Sequence, residues 1–578
     1  MTRRCAWMRP APSLDRLRYS CSAVAILLWS APVSAALPAI TVPGSADSGR
    51  VATPPPSQPA PPLERAPSSG ERFVYPGGKP PKNARGLTLE LKDLKIEGAD
   101  GIDQEQIDAI SKPFVGHVVT LDTVWVIANQ ITEKYREKGF FLSHAYVPAQ
   151  TIENGVVKIK VAEGYLDEIH PTGEGADEKL VYAWNAKLRH KRPLKTDDLE
   201  QAMLEINQLP DANYRSVLKP INRKHAPNGA VAMDVIGEKK PARAFAQVDN
   251  YGSRYLGPYQ ATLQYQPKII PGQATTVTAM VASQWSELKN FAVNHVVPYA
   301  PGWVVDGTVN YTTAQPGYLL KVHEIDSKTY GFDTGITHHW IWHRSEQLAS
   351  RFGFEWRDSS SDILNTPLAR DKLRMAKLGA TYALADRFGG SDNLEATITQ
   401  GLNLLGASQA GGRYLSRSDA RPDFTKLELS AARLQAVREA VDLLISAKGQ
   451  VSSAPLYSSE EFGYGGQNYG RAYDNSEITG DHGVSLAAEL RYTGLQKIRG
   501  ATPTPYLFYD IGRVWNESRA QVAMADASSA GAGMRIESDE GVRADLGVAV
   551  PLSREASDPI YSHNGSAPRL RASLSYTF

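Results

Sequence analysis

Two periodicities divide this chain. Between residues 86 and 240 short alternating runs surround helical stripes, and from residue 241 onward alternation dominates. Leu87, Leu89 and Leu91 fall at every second position, which predicts a strand. Val124, Ile127, Ala128, Ile131 and Tyr135 follow at offsets of 0, 3, 4, 7 and 11, one stripe of an amphipathic helix, with Thr120 placed to cap it and Gly139 to end it. Phe140 to Pro148 reads as a strand, Glu153-Asn154-Gly155 as a turn, and Val157, Ile159 and Val161 as one face of a returning strand. Residues 86–165 are therefore expected to form a compact α+β unit. Residues 166–240 repeat this order. A helix built on Leu199, Ala202, Met203 and Ile206 opens at Thr196-Asp197-Asp198, Asn228-Gly229 signals a turn, and Val231, Met233 and Val235 line a last strand.

After residue 240 the remaining 338 residues form alternating segments of about 10 residues separated by Gly, Asn, Asp and Ser clusters. From Tyr330 to His343 one face carries Tyr330, Phe332, Thr334, Ile336, His338, Trp340 and Trp342, and the other Gly331, Asp333, Gly335, Thr337, His339, Ile341 and His343. The C-terminus repeats the logic, with Leu570, Ala572, Leu574, Tyr576 and Phe578 opposite Arg569, Arg571, Ser573, Ser575 and Thr577. An apolar, aromatic face suits lipid and a polar face suits a lumen. In hydrocarbon an open sheet would leave its edge donors and acceptors unpaired, so such strands must close into a barrel. At about 21 residues per strand and connection, the length predicts roughly 16 antiparallel strands, with 14 or 18 fitting the same arithmetic.

Composition narrows the class. Hydrophobic content of 42% and a mean hydropathy of −0.34, without an apolar run of about 18 residues, exclude a helical transporter. Sixty-three basic against 62 acidic residues leave a net charge of +1, too little to hold nucleic acid. The first residues explain the cysteines. Five arginines, an apolar stretch from Ala23 to Trp29 and small residues at Val33-Ser34-Ala35 describe a secretory leader over residues 1–35, cut after Ala35 or Ala36. Both cysteines, Cys5 and Cys21, would leave with it. Residues 36–85 hold 12 prolines and no helical pattern, so an extended linker is expected there, a spacer more readily than a docking peptide.

Candidate chemistry is sparse. On a strand His338 and His339 face opposite ways, and His339 lies about 13 Å of rise from His343, so no metal site is expected. Gly463-Tyr464-Gly465-Gly466 and Gly470 lack the lysine and helix of a phosphate loop, and suit instead a loop folded into a crowded lumen. Neither a Ser-His-Asp order nor an HExxH motif occurs, so neither an enzyme nor a cofactor is expected. More telling is Arg471, set between Tyr469 and Tyr473 in a long glycine-rich connection. Downstream, Phe508, Asp510 and Gly512 share one strand face opposite Leu507, Tyr509 and Ile511. A luminal Asp510 would want a cation, and Gly512 leaves room for one to approach.

Here the chain resembles the two-partner-secretion outer-membrane transporters of the ShlB/FhaC/HecB type, within the BamA-like superfamily. The resemblance spans a Pro-rich start, two POTRA modules and a C-terminal barrel. In that family a barrel loop bearing Val-Arg-Gly-aromatic folds into the lumen and its arginine meets the aspartate of a Phe-x-Asp-x-Gly strand. The matching residues are Arg471 and Tyr473 after Gly470, and Phe508, Asp510 and Gly512. Gly465-Gly466, Gly480-Asp481, Glu489-Leu490-Arg491, Tyr146-Val147-Pro148-Ala149-Gln150 and Glu163-Gly164 match as well. Two departures stand out. The tip reads Gly470-Arg471-Ala472-Tyr473, so an alanine that adopts positive φ less cheaply replaces a glycine, and residues 36–85 show no pattern for the helix that often plugs such barrels.

The resemblance implies an outer-membrane exporter with periplasmic POTRA domains that passes one large unfolded exoprotein, of haemolysin or adhesin type, across the membrane without nucleotide. Phe140, Tyr146, Pro148 and Gln150 are candidates for partner binding, and Tyr576 and Phe578 for the signal read by the barrel-assembly machinery. Outer-membrane lipid is the other partner, and the transporter is read as a monomer. A barrel-assembly factor and a passive porin or receptor are the rival readings. The first is disfavoured by two modules instead of three or five, and the second leaves the modules unexplained.

Overall fold

The computed structural model describes residues 42–51, 80–81, 84–221, 228–517, 523–560 and 563–578. The expected leader and most of the proline-rich stretch lie outside these residues.

The first module contains β1 (Thr88–Glu90), β2 (Asp93–Glu97), α1 (Gln104–Ser111), β3 (Val118–Thr120), α2 (Thr123–Glu137), β4 (His144–Tyr146) and β5 (Val156–Ala162). β2 and β4 flank β5, parallel and antiparallel respectively, while β1 and β3 make a separate ribbon. The α2 stripe Val124, Ile127, Ala128, Ile131 and Tyr135 is fully buried on Val157, Ile159 and Val161. Asn154 and Gly155 turn with positive φ, and Gly139, also at positive φ, ends α2. Two readings change. Thr120 closes β3 and its hydroxyl donates to Asp122 at 2.5 Å instead of capping α2. The strand read from Phe140 is only His144–Tyr146, because Phe140 is drawn into the core beside Tyr135.

The second module follows the same plan with β6 (Tyr165–Thr172), α3 (Glu178–Asn185), α4 (Thr196–Ile206), β7 (Ala212–Pro220) and β8 (Ala230–Lys239) in the order β6-β8-β7. Eight-residue α1 and α3 are too short to show a repeating stripe, which is why periodicity passes over them.

The barrel is closed and has 16 antiparallel strands. It begins with β9 (Arg243–Asp249), β10 (Gln260–Gln266), β11 (Ala274–Ala282), β12 (Lys289–Ala300) and β13 (Trp303–Ala314). β14 (Ile325–Trp342), β15 (Glu346–Ile363) and β16 (Thr366–Ala385) are the longest, followed by β17 (Gly390–Gly401), β18 (Thr425–Arg438) and β19 (Val441–Ser452). The connection after β19 carries a small ribbon, β20 (Phe462–Tyr464) and β21 (Ile478–Gly480). The wall resumes with β22 (His482–Tyr492), β23 (Ala501–Trp515), β24 (Met524–Ser538), β25 (Val542–Pro551) and β26 (Arg569–Thr577), which pairs with β9. Strands of 18 to 20 residues exceed the 9–11 or so that cross a bilayer, so β14–β16 project beyond it.

Alternation behaves as lipid demands. On β23 Leu507, Tyr509 and Ile511 are exposed outward, while Tyr506, Phe508 and Asp510 are buried inward. On β14 the outward set Tyr330, Phe332, Ile336 and Trp340 holds until a register shift between His339 and Ile341. That bulge brings Trp342 edge-on to His339, whereas His338 stacks on Trp303, so the three histidines do not converge.

Candidate functional site

The connection between β19 and β22, residues 453–481, does not stand clear of the barrel. It turns back on the lumen-facing wall. At its tip Gly470 adopts φ +69°, whereas Ala472 stays out of the positive-φ region, so the family's lost glycine costs no strain here. Arg471 is 5% exposed and Asp510 fully buried. The Arg471 main-chain N–H donates to Asp510 Oδ2 at 3.0 Å, Nη2 to Oδ1 at 2.8 Å and Nε to Oδ2 at 3.1 Å. The guanidinium also lies 3.7 Å over the Phe508 ring centroid, a cation–π contact in a desolvated place.

Sequence reasoning gave Glu489 no role, yet it completes the cage. Arg471 Nη1 donates to Glu489 Oε2 at 2.5 Å, and Arg491 and Arg535 bring two further guanidinium groups to the same carboxylate. Its signal was available: a carboxylate on an inward position of β22, in register with Phe508. Ser529 adds a hydroxyl to Asp510 at 3.2 Å. Tyr473 donates to the carbonyls of Ser528 and Arg554 at 3.0 and 2.8 Å. Both motif glycines face one ring. A Cβ on Gly512 would stand 2.1 Å from Tyr464, and one on Gly470 2.7 Å from it, so only glycine lets the tip and β23 close around that tyrosine.

Nearer its start the loop is held by charge of the other sign. Glu460 accepts from Arg357 Nη1 at 2.5 Å and lies 2.9 Å from Lys426, which belong to β15 and β18. Residues 43–51 join this side. Gly44–Ala46 and Ser48–Arg50 form two short 3₁₀ turns against lumen-facing side chains. Ser253 Oγ donates to the Ser45 carbonyl at 2.6 Å, Ser48 Oγ is 3.5 Å from Thr329 Oγ1, and Arg50 donates to the carbonyls of Ser458 and Glu461. This part of the proline-rich stretch occupies the barrel. It escaped the sequence reading because single 3₁₀ turns carry no helical stripe.

In the first POTRA unit the four candidate positions are placed differently. Phe140 is 9% exposed and packs on Tyr135, so its surface is committed to the core. Tyr146 and Pro148 are half-buried, and the Tyr146 hydroxyl accepts from Asn228 at 3.3 Å. Gln150 pairs its carboxamide with the main-chain N–H and C=O of Lys158 at 2.8 and 2.7 Å, completing the β5 ladder where β4 stops. In the second unit Asn207 does the same for Tyr214 on the outer edge of β7. Glu163 accepts from the Tyr135 hydroxyl and from the Gly101 N–H. At the other end Tyr576 and Phe578 face outward with rings 4.4 Å apart, and the Phe578 N–H donates to Ala244 across the closing seam.

A 16-stranded barrel, a loop locked in its lumen and two α+β modules before it define an outer-membrane protein transporter. The profile of the haemolysin secretion/activation protein family ShlB/FhaC/HecB matches residues 231–536, and that of the ShlB-type POTRA domain residues 89–164. The chain belongs to this family of transporters, with its barrel in the outer membrane and its POTRA domains in the periplasm. Among curated proteins it is 22% identical to the heme/hemopexin transporter protein HuxB of Haemophilus influenzae, over 84% of this chain and 88% of that one. It is 23% identical to the outer membrane transporter CdiB of Escherichia coli, over 75% and 73%. The structure of CdiB from Escherichia coli superposes with a TM-score of 0.69 at 20% identity, over 90% of this chain and 94% of that one. BamA from Haemophilus ducreyi lacking POTRA domains 1–3 gives 0.51 at 13%, over 85% and 100%.

Proposed function

We propose that this transporter exports one large exoprotein of the haemolysin or adhesin type, received largely unfolded in the periplasm and passed through the barrel as a single chain by a monomer. The observation that carries the reading is the lumen loop: a buried arginine on a long connection folded into the barrel, matched to carboxylates on two wall strands, behind two periplasmic modules. A porin has no use for such modules. The POTRA sheets supply the docking chemistry. Asn207 shows that the main-chain groups of Tyr214 point away from β8, so Ser216 and Leu218, two and four residues on, present theirs to the same open side. An extended client segment adds there by strand pairing, with modest affinity that permits release onward. Folding of the exoprotein outside then makes passage one-way. Phe578 and the outward aromatic face of β26 serve insertion by the barrel-assembly machinery.

The test is secretome proteomics on wild type, a clean deletion, and the deletion complemented with Arg471→Ala, with outer-membrane barrel levels measured alongside. Loss of one large extracellular protein, unrestored by an assembled variant, supports export. Unchanged secretion with several barrels depleted would overturn it in favour of an assembly factor.

A further inference from the structure

A second buried arginine–aspartate pair lies away from the Arg471 cage. Asp481, the residue between β21 and β22, is fully buried, and Arg417, in the connection from β17 to β18, is 5% exposed. Arg417 Nη1 and Nη2 donate to Asp481 Oδ1 and Oδ2 at 2.5 and 3.2 Å, a two-pronged pair. The same carboxylate accepts the N–H of Leu456 at 2.8 Å and that of Glu517 at 3.0 Å, so one side chain ties together the β17–β18, β19–β22 and β23–β24 connections. Arg417 also donates to the Leu456 carbonyl at 2.9 Å and lies 2.9 Å from Glu461. Leu456 to Glu461 is thus fixed at both ends by one guanidinium.

That short stretch is the seat of residues 43–51. Arg50 reads two of its carbonyls, Ser458 at 2.9 Å and Glu461 at 2.8 Å, and the Ser458 hydroxyl donates to Asp47. Both carbonyls must point the same way for one guanidinium to reach them. Arg417 makes no hydrogen bond or ion pair with residues 43–51, so its polar influence on seating passes through the stretch it clamps.

We propose that Arg417 is a positioning residue for the closed barrel: paired with Asp481, it holds Leu456–Glu461 in the shape that seats residues 43–51, and the segment leaves when this pair opens. The tip lock is separate, because Arg471 and Arg417 share no carboxylate. Opening the outer pair frees the lumen without moving the tip, which would let a passing chain displace the segment while the loop stays anchored on β22 and β23.

The experiment uses the full chain in outer membranes carrying Ser48→Cys and Thr329→Cys, whose parent hydroxyls are 3.5 Å apart. Oxidative cross-linking reports the seated segment, uptake of a large antibiotic reports the open lumen, and heat-modifiable migration confirms the barrel. Arg417→Ala is expected to lower the seated-to-unseated ratio about tenfold, equivalent to about 1.4 kcal/mol, and to raise uptake. Arg417→Lys, which retains a cation for Asp481, should recover part of both. Wild-type cross-linking and uptake in an assembled Arg417→Ala barrel would overturn the proposal. If that variant fails to assemble, Asp481→Asn decides by the same two readouts. Cargo secretion does not enter, so this result and the export reading stand or fall separately.

Discussion

The lumen loop is gripped at two walls by charge of opposite sign. At its tip a cation, Arg471, enters a cage of carboxylates on β22 and β23. Near its start an anion, Glu460, enters a cage of cations on β15 and β18. The cages differ in redundancy. Arg357 has Glu355 as a second partner and Lys426 has Glu428, so the wall cations stay compensated if Glu460 goes. Asp510 has Arg471 as its cation and otherwise a serine hydroxyl and a main-chain N–H. Removing one member of a desolvated pair costs most where the survivor has nowhere else to turn. The tip is therefore the sensitive grip and the start the tolerant one.

Arg471→Ala should give the largest effect. It strands Asp510 at zero exposure, which costs about 3–5 kcal/mol of loop anchoring, and protease accessibility of residues 465–475 in intact cells should rise as secretion falls. Lysine at this position should rescue poorly, since it lacks the fork that meets Asp510 and Glu489 together. Asp510→Asn keeps the shape and leaves Arg471 with Glu489, so about 1.5–3 kcal/mol is expected by the same assay. A cost equal to that of Arg471→Ala would show that Glu489 contributes nothing. Glu460→Gln should cost less again, about 0.5–1.5 kcal/mol, with secretion largely kept. Full loss of secretion there would invert the ranking of the two grips.

The smallest effect concerns a buried carboxylate whose hydrogen bond comes from a neutral amide. Glu205 in α4 accepts from Gln201 at 3.0 Å, and burial holds its pKa above the ordinary 4.5 despite Lys187 nearby. The folded state therefore binds the proton more tightly than the unfolded chain. Stability of the second POTRA unit should rise as pH falls through that raised pKa toward 4.5, and be lost as pH climbs above it. Glu205→Gln should abolish the dependence, measured as hydrogen-exchange protection of α4 in the full chain.

Legibility followed periodicity. The α2 stripe, the alternation of β14 and β23 and the closure of the barrel were readable because burial or lipid acts on every residue of an element, and repeated pressure leaves a period. Eight-residue α1 and α3 and the 3₁₀ turns at residues 43–51 were not, since one or two turns cannot display one, and β4 was read at its place but too long. Arg471 and Asp510 were found through a motif that placed each on its own element. Glu489 sat in a matched stretch that named no partner for it, and Glu460 and Arg357 sat in none, so their partners were invisible.

By itself the sequence determined the modules, the barrel, which face of each strand meets lipid, and which two charges stand out from a polar lumen. The reason is local: side-chain direction in a strand or helix follows from the residue's own position in it. Beyond the Arg471–Asp510 pair that the resemblance implied, only the tertiary structure decided which charges meet. Partners such as Arg50 and Glu461, or Arg417 and Asp481, are brought together by closure of the barrel and by the loop turning inward. Distances of that kind are set by the fold as a whole, because a buried charge is satisfied by whichever opposite charge the closed wall carries to it.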